Sequence, residues 1–214
     1  MLLKLTRWIA ATVVFLAVAT SAQANDANTQ PYKVLPQPVP VLADGKIHVE
    51  EAFWYGCPHC FSLEDYVSPW KKNLASDVSF TGVPAMFGRA WVAHAQLYYV
   101  ADSLNVLDKA HSAIFRAVNV DRVQLLSRED QRAFLVAKTG VTAEAFDKAY
   151  DSFTVKSRMK QGDQRIRAFG INGVPAIIVQ GKYVVDAASA GGQHNITKVV
   201  DHLIAIEREA MKKR

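Results

Sequence analysis

Residues 47–61 read IHVEEAFWYGCPHCF and hold both cysteines of a 214-residue chain, Cys57 and Cys60, with Pro58 and His59 between them. Residues 47–55 are β-branched and aromatic and stop at Gly56, which is the pattern of a buried strand. Beyond the cysteines, Leu63, Tyr66, Val67, Trp70 and Leu74 recur at helical spacing. The pair therefore falls at a strand-to-helix turn, with Cys57 where the helix begins. Pro58 suits the first turn, because the N–H it lacks has no intrahelical partner there. Pro69 should kink that helix or end it early. Glu50 and Glu51 are adjacent in the strand and must face opposite ways, so a strand covered on both faces buries at least one of them.

A disulfide between positions three apart restricts the unfolded chain little, which makes it a poor staple and favours a catalytic use. The thiolate is the nucleophile of disulfide exchange. Cys57 at a helix start would be stabilised as an anion by unpaired backbone N–H groups and the positive end of the dipole. His59, when protonated, adds a positive charge nearby. Favouring the thiolate favours the reduced pair and makes the disulfide a stronger oxidant. Cys57 is then the attacked and attacking sulfur, and Cys60, one turn in, is shielded and resolves the mixed disulfide.

Other readings of these residues are a structural disulfide, a metal site, or a His59 that is simply exposed. A structural zinc site wants four Cys or His ligands. No second C-x-x-C or paired histidines supply them, and His94, His111, His194 and His202 are dispersed, so no metal is expected.

Residues 1–24 have the form of an export signal: Lys4 and Arg7, an apolar run over residues 9–19, and Ala22-Gln23-Ala24 as a small-x-small cleavage site. The run is short for a membrane anchor, which needs about 20 apolar residues. Cleavage would remove two positive charges from the formal net charge of +5 and leave +3, too weak an excess to argue for nucleic acid. Export would expose the cysteines to oxidants. The remaining chain suits one domain, or a domain with an inserted subdomain.

Residues 25–40 carry Pro31, Pro36, Pro38 and Pro40 and read as a loosely ordered leader. Residues 78–83 resemble a second strand. From about residue 89 to 169 the chain turns helical, with starts at Ser127 and Thr142 and stops at Gly140 and Gly170. Residues 174–180 and 182–186 read as strands around the Gln180-Gly181 turn, and a last helix carries Ile196, Val199, Val200, Leu203 and Ile206 on one side. The order is strand, helix, strand, a long helical stretch, hairpin, helix.

Together with Gly173-Val174-Pro175-Ala176, Gly181-Lys182-Tyr183, the segment over residues 152–157 and the export signal, the Phe53-to-Cys60 stretch resembles the DsbA family of periplasmic thiol:disulfide oxidoreductases. The resemblance spans nearly all of the chain after residue 24. It implies an α/β, thioredoxin-like fold with an inserted helical domain: residues 25–88 and 163–214 for the first part, 89–162 for the insert. It implies that the Val174–Pro175 bond is cis and lies against the cysteine pair, with Val174 offering backbone groups to an extended substrate peptide. It places a buried acid at Glu51, able to exchange a proton with Cys60, and a second acid at Glu64. A lysine that relatives carry before the second strand has no match here, where Ala75 stands.

The activity so implied is donation of the Cys57–Cys60 disulfide to reduced, unfolded exported proteins in the periplasm, by a monomer without cofactor that a DsbB-type membrane quinone reductase reoxidises. The alternative is a disulfide isomerase or reductase; relatives with those roles tend to carry another dipeptide between the cysteines and often Thr before the cis-proline. A peptide-binding chaperone would use Trp54, Tyr55, Phe61 and Met86 as an exposed apolar patch.

Overall fold

Strand β2 (Ile47–Phe53) is an interior strand of the sheet and is buried along almost its whole length. The computed structural model describes residues 30–213, so the expected export signal lies outside them. β2 pairs in parallel with β3 (Val78–Pro84) and antiparallel with β4 (Ala176–Val179). β5 (Tyr183–Val185) and β1 (Lys33–Val34) complete the order β1-β5-β4-β2-β3. Parallel strands need a crossover, and α1 (Pro58–Lys71) supplies it. α2 (Arg89–Ser103), α3 (Leu107–Asn119), α4 (Arg128–Thr139), α5 (Ala143–Tyr150) and α6 (Phe153–Ala168) follow β3 before the chain returns to the sheet. The short α7 (Ala187–Ala190) and the long α8 (Gln193–Lys212) end the described chain.

Strand alternation divides the core. Ile47, Val49, Ile177 and Val179 pack with Leu63 and Val67 of α1 and with Ile196, Val200 and Leu203 of α8. Ala52, Ile178 and Val184 face the other way, onto Ile166 and Phe169. Glu51 points to the α1 side and Glu50 to the α6 side, where it forms an ion pair with Arg165. A third cluster joins Phe53, Tyr55 and the cysteines to Leu97, Ile114, Phe115, Leu135 and Val155 of the helices. Helix α6 spans two of these cores, since Val155 belongs to the third and Ile166 to the second. The boundary read at residue 162 therefore falls inside one continuous helix.

The cap signals act as expected at Ser127 and Thr142, which each accept a backbone N–H three residues on, and at Gly140, with a left-handed φ of 80°; Ser152, not among the expected starts, caps α6 in the same way. Three expectations need correction. The proline-rich segment is not all loose, because Lys33 pairs with Val184 and Val34 with Tyr183, and the N–H groups of Leu35 and Val39 donate to Lys182 and Gly181. This edge strand is held through its backbone while both side chains are exposed, so no apolar pattern announces it. On α8, Ile206 is exposed; the buried stripe instead takes Ile204 and Glu207, whose carboxylate meets Lys182 Nζ at 2.6 Å. On α1, Tyr66 is exposed and the helix ends at Lys71, two residues past Pro69, which leaves Leu74 beyond it.

Gly162 lies where α6 packs on α2: a Cβ there would lie 2.1 Å from the Tyr99 hydroxyl oxygen. Helix propensity favours alanine over glycine by about 1 kcal/mol. Forcing buried atoms together costs about 1–3 kcal/mol, so the clash should win. Gly162→Ala is expected to lower unfolding stability in urea, and Tyr99→Phe in the same chain to restore most of the loss; a Gly162→Ala protein more stable than the parent would refute this packing.

Candidate active site

Cys57 is the N-cap of α1, with extended backbone (φ −93°, ψ 114°) and Pro58 as the first helical residue. Its sulfur accepts the Cys60 backbone N–H at 3.3 Å. A helix start leaves its first N–H groups without intrahelical acceptors, and here sulfur fills the role that a serine or aspartate oxygen usually has. The turn is clamped from both sides. Cys57 N–H donates to the Trp54 carbonyl at 3.0 Å, and Asn119 at the end of α3 donates to the Tyr55 carbonyl at 2.8 Å.

Both cysteines are free thiols in this structure. Cys57 is 9% exposed and Cys60 fully buried. The Cys60 thiol, donating to the Cys57 sulfur, is the foremost cause that brings the Cys57 thiol down to about 6; burial opposes it, and the backbone N–H groups of Cys60 and His59 and the His59 charge assist. Burial pushes the Cys60 thiol far up, and the neighbouring Cys57 pushes the same way. One sulfur is thus poised as an anion and the other held as a thiol.

The Val174–Pro175 peptide bond is cis and immediately precedes β4. The Val174 carbonyl lies 3.7 Å from the Cys57 sulfur. Pro58 and His59 are exposed at the surface of the turn, and Val174 and Pro175 are half-buried beside it. The structure therefore brings Cys57, Pro58, His59, Cys60, Val174 and Pro175 to one edge of the molecule.

Glu51 lies behind the pair, 2% exposed, with its Oε1 without a hydrogen-bond partner. Burial, and after it the Glu64 charge, push the Glu51 carboxyl up to about 8 against the pull of Lys71. Lys71, on α1 with its ammonium 5.9 Å from the Phe80 ring, is thus a cation on the Glu51 side although no lysine stands at Ala75. Glu64 is buried too, but His111, Ser68 and Lys71 outweigh burial and hold its carboxyl below the ordinary range. His111 Nε2 is 3.4 Å from Glu64 Oε1, and its Nδ1 is 2.8 Å from the Tyr55 hydroxyl.

Tyr55 is therefore no part of an exposed patch. It is 1% exposed, packed edge-on to Phe53 and Phe115, and spends its hydroxyl on His111. Trp54, Phe61 and Met86 are half-buried. Trp54 stacks on Trp91 at 4.2 Å, and Trp91 meets the exposed Phe87 at 5.0 Å. His111 was legible only as one dispersed histidine among several; its place on the stripe of Ala110, Ile114 and Phe115 is the signal that it points inward. Gln193, whose Nε2 donates to the His59 carbonyl at 2.7 Å, gave no sequence signal at all. Among the described residues no cluster of three or more His, Cys, Asp or Glu could hold a metal ion.

A family model described as a DSBA-like thioredoxin domain matches residues 70–197. The thiol:disulfide interchange protein DsbA of Azotobacter vinelandii is 46% identical over 179 residues, which cover 84% of this chain and 83% of the relative. The protein of the same name from Pseudomonas aeruginosa is 41% identical over 194 residues, covering 90% and 92%. A crystal structure of Pseudomonas aeruginosa DsbA superposes with a TM-score of 0.80 at 40% identity, covering 86% of this chain and 95% of that one. A crystal structure of the oxidoreductase DsbA from Xylella fastidiosa gives 0.77 at 30% identity, covering 83% and 95%.

The Glu51 carboxyl has a pH consequence. Its folded value, about 8, lies above the ordinary carboxyl value of about 4.3. Between these limits the folded state holds a proton that the unfolded state has released, so stability falls as pH rises from about 4.5 to about 8. Each pKa unit is worth about 1.4 kcal/mol, which puts the loss at a few kcal/mol. Glu51→Gln in the reduced protein should flatten this slope in urea unfolding measured across that range; an unchanged slope would show that Glu51 ionises normally.

Proposed function

The chain belongs to the DsbA family and is a thiol:disulfide oxidoreductase, and on that premise we propose that it is a dithiol oxidase of the periplasm, acting as a monomer on reduced exported proteins. The observation that carries this direction is the Cys57 sulfur at the α1 N-terminus, with its thiol lowered to about 6. A thiolate stabilised in the folded protein makes the reduced pair favourable and the disulfide ready to be given away.

In the proposed reaction a substrate thiolate attacks the Cys57 sulfur. A substrate–Cys57 disulfide forms, the Cys57–Cys60 bond breaks, and its electron pair goes to the Cys60 sulfur. That sulfur takes a proton, for which the buried Glu51 carboxyl is the candidate donor. A second substrate thiolate then attacks the substrate sulfur of the mixed disulfide and releases Cys57 as the stabilised thiolate. The substrate has lost two electrons and the cysteine pair has gained them; a DsbB-type membrane partner would pass them to quinone. Pro58 and His59 shape the turn. Val174 presents its carbonyl beside the reacting sulfur, where an extended peptide could pair with it, and Pro175 offers no N–H there. We assign residues 25–88 and 163–214 to the thioredoxin-like part and 89–162 to the insert, a division supported by the run of helices α2 to α5 between β3 and β4, with α6 crossing the boundary.

An isomerase or reductase would require the pair to stay reduced in the compartment. Equilibration with glutathione separates the readings: an oxidase should remain largely reduced even when oxidised glutathione is in excess. Cys57→Ser should abolish oxidation of a reduced substrate, and Cys60→Ser should accumulate the mixed disulfide at Cys57. A pair that oxidises readily in a mild thiol buffer would overturn the oxidase direction, and elution as a dimer in size-exclusion chromatography would overturn the monomer.

A further inference from the structure

The first turn of α1 receives a hydrogen bond from outside its own helix. Gln193, the first residue of α8, donates from Nε2 to the His59 carbonyl oxygen at 2.7 Å. That carbonyl belongs to the peptide unit whose other end is the Cys60 N–H, and this N–H donates to the Cys57 sulfur at 3.3 Å. Amide, peptide and sulfur thus form one chain of donors and acceptors. A peptide whose oxygen accepts a hydrogen bond has a more polar N–H, so bonds on the two ends strengthen one another.

We propose that Gln193 is a positioning residue for the interchange reaction, fixing and polarising the His59–Cys60 peptide so that its N–H stabilises the Cys57 thiolate. The inference rests on Cys57 being the reactive sulfur.

The backbone before α8 is shaped for this reach. Gly191 has φ 71° and Gly192 φ 134°, values that residues with a side chain rarely adopt, and a Cβ on Gly192 would lie 2.7 Å from the His194 ring. The two glycines let the chain leave α7 and start α8 with its first side chain over the first turn of α1. Packing does not require the tie. Leu63 and Val67 already bury against Ile196, Val199, Val200 and Leu203, and Trp70 Nε1 binds Asp201 at 2.8 Å further along the same two helices. Gln193 is half-buried, so its replacement leaves no cavity. The titratable neighbours acting on Cys57 are Cys60 and His59, and those acting on Cys60 are Cys57 and Glu51, so the neutral amide adds no charge to the site.

The test compares Gln193→Ala and Gln193→Leu with Trp70→Phe, which cuts the other polar tie between the two helices. Thiolate absorbance against pH and the equilibrium constant with glutathione are read on each full-length reduced protein. Both Gln193 variants should lower the acid constant of Cys57 about two- to fivefold, the scale of one partly exposed neutral hydrogen bond passed along a chain, and weaken the oxidant by a similar factor. Trp70→Phe should lower unfolding stability and leave both readings at the parent values. Gln193 variants that keep the parent midpoint, or a Trp70→Phe protein that shifts as they do, would overturn the assignment. A parent protein that itself titrates as a free thiol would instead overturn the oxidase reading, which is a separate result.

Discussion

A sulfur atom caps a helix, and the architecture around it keeps that cap in place. The start of α1 offers backbone N–H groups that no residue of the helix can accept. Cys57 meets this demand only because β2 ends four residues earlier and the turn between them is pinned by Trp54 and Asn119. β2 in turn is fixed between β3 and β4, so its register sets where the sulfur emerges. A slip of one residue would exchange Glu50 and Glu51 between the faces and send the turn elsewhere.

Magnitudes decide which effect holds the sulfur as an anion. A thiol brought from about 8.5 in a free cysteine to about 6 gains more than a hundredfold in acid constant. The helix dipole, worth about 0.3–1 kcal/mol at exposed sites and up to about 2 kcal/mol in partly buried ones, accounts for about thirtyfold at most. Aimed hydrogen bonds must supply the rest, and the foremost comes from the Cys60 thiol. The sequence pointed to the dipole, the backbone donors and His59 because each could be placed by spacing alone. That the second thiol donates to the first depends on both side chains turning inward across one helical turn.

Much of the fold was legible because its signals are local. Ser127, Thr142 and Gly140 announce helix ends through their own side chains or lack of one, and the Ile47-to-Phe53 run announces a strand buried on both faces. β1 was not legible, since two exposed residues held by backbone bonds leave no pattern. In the site, the cysteines and their turn could be placed from spacing. The cis bond at Pro175 entered only through the family resemblance, because the residue types fit either isomer. The Tyr55–His111–Glu64 contacts join residues 56 and 47 positions apart, and no periodicity within one element can pair them.

The helices between β3 and β4 are more than a cover for the sheet. Phe115 and His111 of α3 pack against Phe53 and Tyr55, the residues that carry the chain from the sheet to Cys57. His111 also reaches Glu64 on α1, so a single α3 side chain touches both the strand and the helix that the cysteine turn connects. Buried polar groups left without partners are costly, and Glu51 is such a group, with one carboxyl oxygen unpaired behind Cys60. Glu64 Oε1 also lacks a hydrogen bond, but His111 Nε2 lies 3.4 Å from it as an ion-pair partner and Ser68 donates to the other oxygen at 2.6 Å. Two buried acids on one side of the sheet thus behave oppositely, and the largest part of the difference comes from His111 of α3, with Ser68 and Lys71 of α1 assisting. One is held as a carboxylate, which by its charge helps keep the other protonated. In the proposed reaction, a proton held on Glu51 would be the one passed to the Cys60 sulfur, whose thiol burial and Cys57 push far up.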